Sequence, residues 1–155
     1  MFLRLLPAFA FFALTLPALS DTADQCELTD DQSDCVRILA CIGDQGRWFN
    51  GRAFGRGAGS LAGEVNDGVT CTGNWVSANA AGYGQADVAC DDGMTVTVLY
   101  FYQDSYTGTA IGRGLSNRDD QIEAWSGKNV LDYFRDGSPD AKAIMKCGDY
   151  GIPIS

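Results

Sequence analysis

One phrase recurs in this chain at a shift of 25 residues: Gly57-x-Gly59-x7-Asp67-Gly68 returns as Gly82-x-Gly84-x7-Asp92-Gly93. Asp-Gly is a turn dipeptide, and a Gly-x-Gly pair lets the backbone reverse or approach a neighbour closely. A fixed interval between the two therefore marks one strand between two reversals, and the middle of the chain is expected to be a run of β-hairpins. Strands are expected over residues 46–52, 57–65, 70–77, 85–90, 95–102 and 109–114, with a further one at 121–125. Residues 95–102 read Thr-Val-Thr-Val-Leu-Tyr-Phe-Tyr, β-branched and then aromatic, without Gly or Pro. If 70–77 and 85–90 form one hairpin turning at residue 80 or 81, Cys71 lands opposite Cys90, which predicts a cross-strand disulfide. The fold class expected is mainly β: an antiparallel hairpin sheet or small barrel, with short flanking helices and disulfide stabilisation.

Both ends of this region read as helix. Cys35, Ile38, Leu39 and Ile42 fall at i, i+3, i+4 and i+7, one face of a short helix. Asp30, Asp31 and Asp34 lie near its start, where carboxylates suit the helix dipole. Cys35 and Cys41 would stand about 240° apart on such a helix and so take different partners, with Cys41 or Cys26 reaching Cys147. Further on, Ser126 or Asn129 is placed to cap a helix carrying Val130, Leu131, Tyr133 and Phe134 and ended by Gly137. Pro139 and Asp140 would open another over residues 140–146. These helices are expected to cover an end or a face of the sheet.

Residues 1–20 carry one charge, Arg4, then an apolar stretch from Leu5 through Leu16, then Pro17-Ala18-Leu19-Ser20. This is the pattern of a secretory signal peptide, with Ala18 and Ser20 at positions −3 and −1 of the cleavage site. Pro7 and Pro17 interrupt the run, which falls short of the roughly 20 apolar residues of a membrane span. The expectation is a single exported domain over residues 21–155, periplasmic or secreted, without membrane insertion after cleavage. All six cysteines (Cys26, Cys35, Cys41, Cys71, Cys90, Cys147) lie in that part, an even number that suits three disulfides in an oxidising compartment. With no CxxC pair and no histidine in the chain, the common zinc spacings are absent and no metal or cofactor is expected.

Without Arg4 the chain holds 10 basic against 20 acidic residues, a net charge of −10. Such a surface argues against nucleic acid and anionic membranes as partners, because both require clustered Lys and Arg. The absence of histidine excludes Ser-His-Asp and Cys-His nucleophilic chemistry. Carboxylate chemistry stays open at Asp91/Asp92, at Asp119/Asp120 with Glu123, and at Asp104, although Asp-Asp before Gly is turn chemistry first. Oxygen ligands for calcium also cluster at Asp91, Asp92 and residues 117–120, without EF-hand spacing. The glycine-rich segment 51–63 with Arg52 and Arg56 lacks the Gly-Lys-Ser/Thr ending of a phosphate loop. Among the aromatics, strand alternation puts Tyr100 and Tyr102 on one face with Val96 and Val98, and Phe101 on the other with Leu99. Tyr83 and Tyr106, in turn regions, are candidates for a binding surface together with Trp125.

Gly-x-Trp occurs at 46–48 and 73–75, each followed by a glycine-rich turn, Gly-x-Gly and Asp-Gly. The stretch from Gly46 to Gly114 resembles MORN-type hairpin repeats, with Gly112-Arg113-Gly114 beginning a degraded third copy. Cys71 departs from the pattern by replacing the aromatic expected two residues before Gly73. The resemblance implies a scaffold or interaction sheet without catalytic residues. Residues 88–102, with Cys90-Asp91-Asp92-Gly93 and Val98-Leu99-Tyr100, are similar to the opening of bacterial inhibitors of C-type lysozyme. That similarity implies a small periplasmic β-barrel, but the family's Ser-Gly-x-x-Tyr loop has no counterpart after Tyr102. The function expected is that of an exported, acidic, disulfide-bonded binding or interaction protein with a protein or glycan partner and no catalysis. A small carboxylate-dependent glycan hydrolase and a periplasmic lysozyme inhibitor are the alternatives.

Overall fold

The computed structural model describes residues 35–135, 138 and 140–155; the leader, Cys26, the 21–34 segment and Gly137 lie outside the described residues. Eight strands follow one another: β1 (Val36–Ile42), β2 (Arg47–Arg56), β3 (Ala58–Val65), β4 (Thr70–Val76), β5 (Gly84–Cys90), β6 (Thr95–Gln103), β7 (Ala110–Ser116) and β8 (Gln121–Gly127). Each pairs antiparallel with the next, and β1 pairs with β8, so the meander closes into a barrel with no free edge. One helical turn, α1 (Val130–Tyr133), and a hairpin of β9 (Ile144–Cys147) and β10 (Tyr150–Pro153) complete the chain.

The hairpin register expected from the repeated glycine phrase is present. Cys71 faces Cys90 across β4 and β5, and the two are joined in a disulfide. The helix expected over residues 35–42 is instead strand β1. Its apolar residues do satisfy a helical spacing, but β1 is buried on both faces, which removes the alternation that would have marked it as a strand. Ile38, Ala40 and Ile42 point into the barrel. Leu39 and Cys41 point outward into a second core. The helix expected over residues 140–146 is also a correction: β9 occupies part of it, with Met145 and Cys147 buried and Ile144 and Lys146 turned out. The α1 turn falls where expected, but Asn129 at its start makes no side-chain cap, and Ser126 belongs to β8.

The second core is built outside the barrel. Trp125 on β8 meets Phe134 edge-on at 5.0 Å and packs with Leu39, Val130, Met145 and Ile154. The Cys41–Cys147 disulfide ties β9 to β1 across 106 residues of sequence. Closing a loop of that order removes about 4–5 kcal/mol of conformational freedom from the unfolded chain in the loop-entropy picture. Cys35 is also disulfide-bonded.

Inside, the barrel curves around glycines. Gly51 and Gly63 face each other across β2 and β3, and the Phe49 ring lies over both. A Cβ on Gly51 would stand 2.4 Å from Phe49 Cζ, and one on Gly63 would stand 2.4 Å from the Asn50 carbonyl oxygen. Aromatic cover over inward glycines is how a small barrel bends sharply without leaving a void. Gly63→Ala is expected to cost about 1–3 kcal/mol through overpacking. Urea denaturation of the variant beside the native chain checks this, and an unchanged midpoint would refute the tight contact.

Candidate ligand cavity at the open end of the barrel

The two ends of the barrel differ in what their inward positions carry. Toward the turns after β1, β3, β5 and β7, the interior is filled by Ile42, Phe49, Val65, Met94, Val96 and Ile122. Met94 is 1% exposed and stops that end; the space left among these side chains is about 40 Å³. Toward the opposite end, the inward positions of four strands are small: Ala53 on β2, Gly84 and Ala86 on β5, Ala110 and Gly112 on β7, and Ser126 on β8. Their register assigns that direction, since Ser126 pairs with Ile38 and Ala110 pairs with Ser126, and paired residues share a face. A cavity of about 430 Å³ opens there, with Trp75 and Tyr100 among its walls. Its size lies in the range of small-molecule sites.

No charged side chain is among the residues lining it. The Trp75 indole N–H donates to the Phe54 carbonyl at 2.9 Å. Gln85 donates to Asp87 and accepts from Asn79, and Gln103 donates to the Gly108 carbonyl. The cavity is thus an apolar cup with a few polar groups in it. A second depression, about 900 Å³, crosses the outer face of β3 to β7. It is open to solvent and its polar groups already serve one another, as where the Thr97 hydroxyl donates to Asp87 at 2.7 Å.

A β-bulge shapes the rim. Tyr100 pairs with Gly112, but Tyr102 pairs with Ile111, so Phe101 is the extra residue. This corrects the alternation expected for the aromatic end of β6. Tyr100 stays inward with Val96 and Val98, and Tyr102, paired across the bulge with Ile111, is half exposed and borders the cavity mouth. Phe101, about half exposed, lines the mouth. Tyr83 and Tyr106 project from the β4–β5 and β6–β7 loops at this same end, 48% and 93% exposed. Trp125 does not join them: at 5% exposure it is core, not surface. The small inward residues escaped the sequence reading, although a period-2 count along β2, β5 and β7 carries their signal.

No protein-family model matches the chain, and no curated protein matches it. Among solved structures, the chain is similar to two redesigned β barrels, mFAP1 and mFAP0, each solved bound to DFHBI. Each comparison has a TM-score of 0.47 and 12% identity over 61% of this chain, covering 92% of mFAP1 and 95% of mFAP0.

The candidate carboxylates lie away from the cavity lining, in turns or, for Glu123, on β8. Asp104 accepts from both the N–H and the hydroxyl of Thr107 at 2.7 Å, and those bonds hold its carboxyl below its ordinary range. Asp120 accepts from the Ser116 hydroxyl, and Glu123 pairs with Arg113 on the outer surface. Asp119 takes the left-handed conformation of its turn. Among the described residues, no group of three or more Cys, Asp or Glu side chains is arranged to hold a metal ion.

At the filled end, both aspartates of the repeated Asp-Gly phrase meet one cation. Arg47 reaches Asp67 at 2.9 Å and Asp92 at 3.1 Å, and Arg118 reaches Asp92 at 2.9 Å. The asparagines of two turns stitch neighbouring turns to this network. Asn66 accepts from the Trp48 N–H and donates to the Gly46 carbonyl, while Asn117 accepts from the Thr95 N–H and donates to the Gly93 carbonyl. The Met94 N–H first, and then Arg118 and Arg47, hold the Asp92 carboxyl below its ordinary value of 3.8. A carboxyl depressed in the native state stabilises it fully above the unfolded value and loses that contribution as pH falls through the native one. The stability gap between the native chain and Asp92→Asn should therefore shrink as pH drops from about 5 to about 2. Urea midpoints measured across that window test this, and a constant gap would show that the network does not depend on the Asp92 charge.

Proposed function

We propose that this chain is an exported binding barrel whose open end holds a small, uncharged and largely apolar molecule. The observation that carries the proposal is the taper of the interior: large side chains at one end, and a cavity of about 430 Å³ without a charged wall at the other. Interiors pack to crystal density by default, so a cup kept open by alanine, glycine and serine on several strands favours an occupant. An ionised ligand would lose its hydration there with no opposite charge to meet it, which favours a neutral one. The lack of carboxylates in the lining and of histidine in the chain favours binding over catalysis.

Export rests on the leader-like sequence of residues 1–20 together with the disulfides, which suit an oxidising compartment. The periplasm or the extracellular medium is the location proposed. The exposed rings of Tyr83, Phe101 and Tyr106 extend apolar surface around the entrance, where a ligand first touches the protein.

Fluorescence titration with N-phenyl-1-naphthylamine, an uncharged probe, tests the reading. Saturable binding at one site per chain is expected. Ala110→Phe, which places a ring in the cup, should weaken it at least tenfold while far-UV circular dichroism stays unchanged. Binding that does not saturate, or that survives Ala110→Phe intact, would overturn the proposal.

A further inference from the structure

Tyr100 holds a particular place in the cup. Its cross-strand partners are both glycine, Gly84 on β5 and Gly112 on β7. A Cβ on Gly112 would stand 2.9 Å from Tyr100 Cδ1, and one on Gly84 would stand 3.2 Å from Tyr100 Cβ. The ring therefore occupies the space that side chains on the two neighbouring strands would need, and its position is set by backbone. With Ile38 and Ala86 it borders both the open cavity and the small void beneath, and it is the largest side chain of that partition.

The indole and amide donors in the wall already have partners in the protein, and the Tyr102 phenol stands at the rim, 55% exposed to solvent. The Trp75 N–H serves the Phe54 carbonyl, and the amide groups of Gln85 and Gln103 serve Asp87 and Gly108. The Tyr100 hydroxyl has no hydrogen bond to any described residue, and burial pushes its ionisation upward, so it remains a neutral donor at ordinary pH. The Ser77 and Ser126 hydroxyls are also without such a bond, but a serine turns readily to its own backbone. A phenol held at the end of a rigid ring does not.

We infer that Tyr100 is the specificity-determining donor of this cavity, and that the ligand is an uncharged apolar molecule bearing a carbonyl-type acceptor that reaches the Tyr100 hydroxyl. The inference rests on the binding reading above and adds to it one chemical group of the ligand. Trp75 and Phe101 beside Tyr100 in the wall suit a flat, conjugated body for that ligand.

The test uses two fluorescent probes of one shape, 6-propionyl-2-dimethylaminonaphthalene and its 6-propyl analogue, which lacks the carbonyl. Both are titrated into the native protein and into Tyr100→Phe, which removes only the hydroxyl. The ketone is expected to lose about threefold to tenfold in affinity in the variant, with its bound emission moving to shorter wavelength as the hydrogen bond is lost. The hydrocarbon analogue is expected to bind both proteins equally. Equal weakening of both probes would give Tyr100 a packing role and overturn the inference, as would an unchanged ketone affinity. In either case the cavity would still bind. Failure of both probes to bind the native protein would overturn the binding reading itself, and this inference with it.

Discussion

The fold depends on β1 being buried twice. Its hydrogen bonds to β8 close the meander, and a closed barrel has no edge for another chain to extend. Closure requires β1 to present Ile38, Ala40 and Ile42 to the interior. The same strand also presents Leu39 and Cys41 to the C-terminal segment. The α1 turn and the β9–β10 hairpin are too short to stand alone. They gain their stability by covering the outer face of β1 and β8, and Cys147 fixes them there. The C-terminal segment in turn keeps water from the seam at which the barrel closes. The first strand is thus held on both faces, which suits the element on which closure rests.

From that closure follows a division of labour along the barrel axis. The filled end joins successive turns through Arg47, Arg118, Asp67 and Asp92, backed by the two asparagines, with Met94 packed beneath. Salt bridges this exposed contribute little singly. Their arrangement matters more, because Arg47 joins the β3–β4 turn to the β5–β6 turn and Arg118 joins the latter to the β7–β8 turn. At the open end the β4–β5 and β6–β7 connections are longer, the inward side chains of β2, β5, β7 and β8 are small, and those two loops carry exposed tyrosines.

The strands of the central meander were legible because Gly-x-Gly and Asp-Gly mark reversals whatever the tertiary context. The same spacing put Cys71 opposite Cys90. At β1 the reading failed for a physical reason: Val36 to Ile42 is apolar on both faces, and periodicity cannot separate a strand buried twice from a helix. Residues 140–146 misled differently, since a Pro-Asp start looks like a helix opening and the four-residue β9 is too short to show alternation. Phe101 was assigned to the face of Leu99, away from the cavity whose mouth it lines, because a bulge adds one residue to the count, and no residue between Val98 and Gln103 announces it. The cavity was hidden for a deeper reason. Alanines at 53, 86 and 110 are ordinary in any strand. They become the wall of a cup only once closure brings them around one cavity from different strands.

The charge of the chain and the chemistry of the cup point in opposite directions, and their separation is informative. With 20 acidic residues in the sequence, an interior that admitted even one carboxylate would repel anions and desolvate poorly. The described carboxylates instead sit in turns or on the outer face, where water, arginine or backbone N–H groups meet them. On the binding reading proposed above, the acidic surface serves solubility and discourages association with anionic surfaces, while selection of a ligand is left to shape and to single hydrogen bonds. On that reading, with the indole N–H and one N–H of each glutamine amide already spent on the protein itself, the hydroxyls left over would carry that selection.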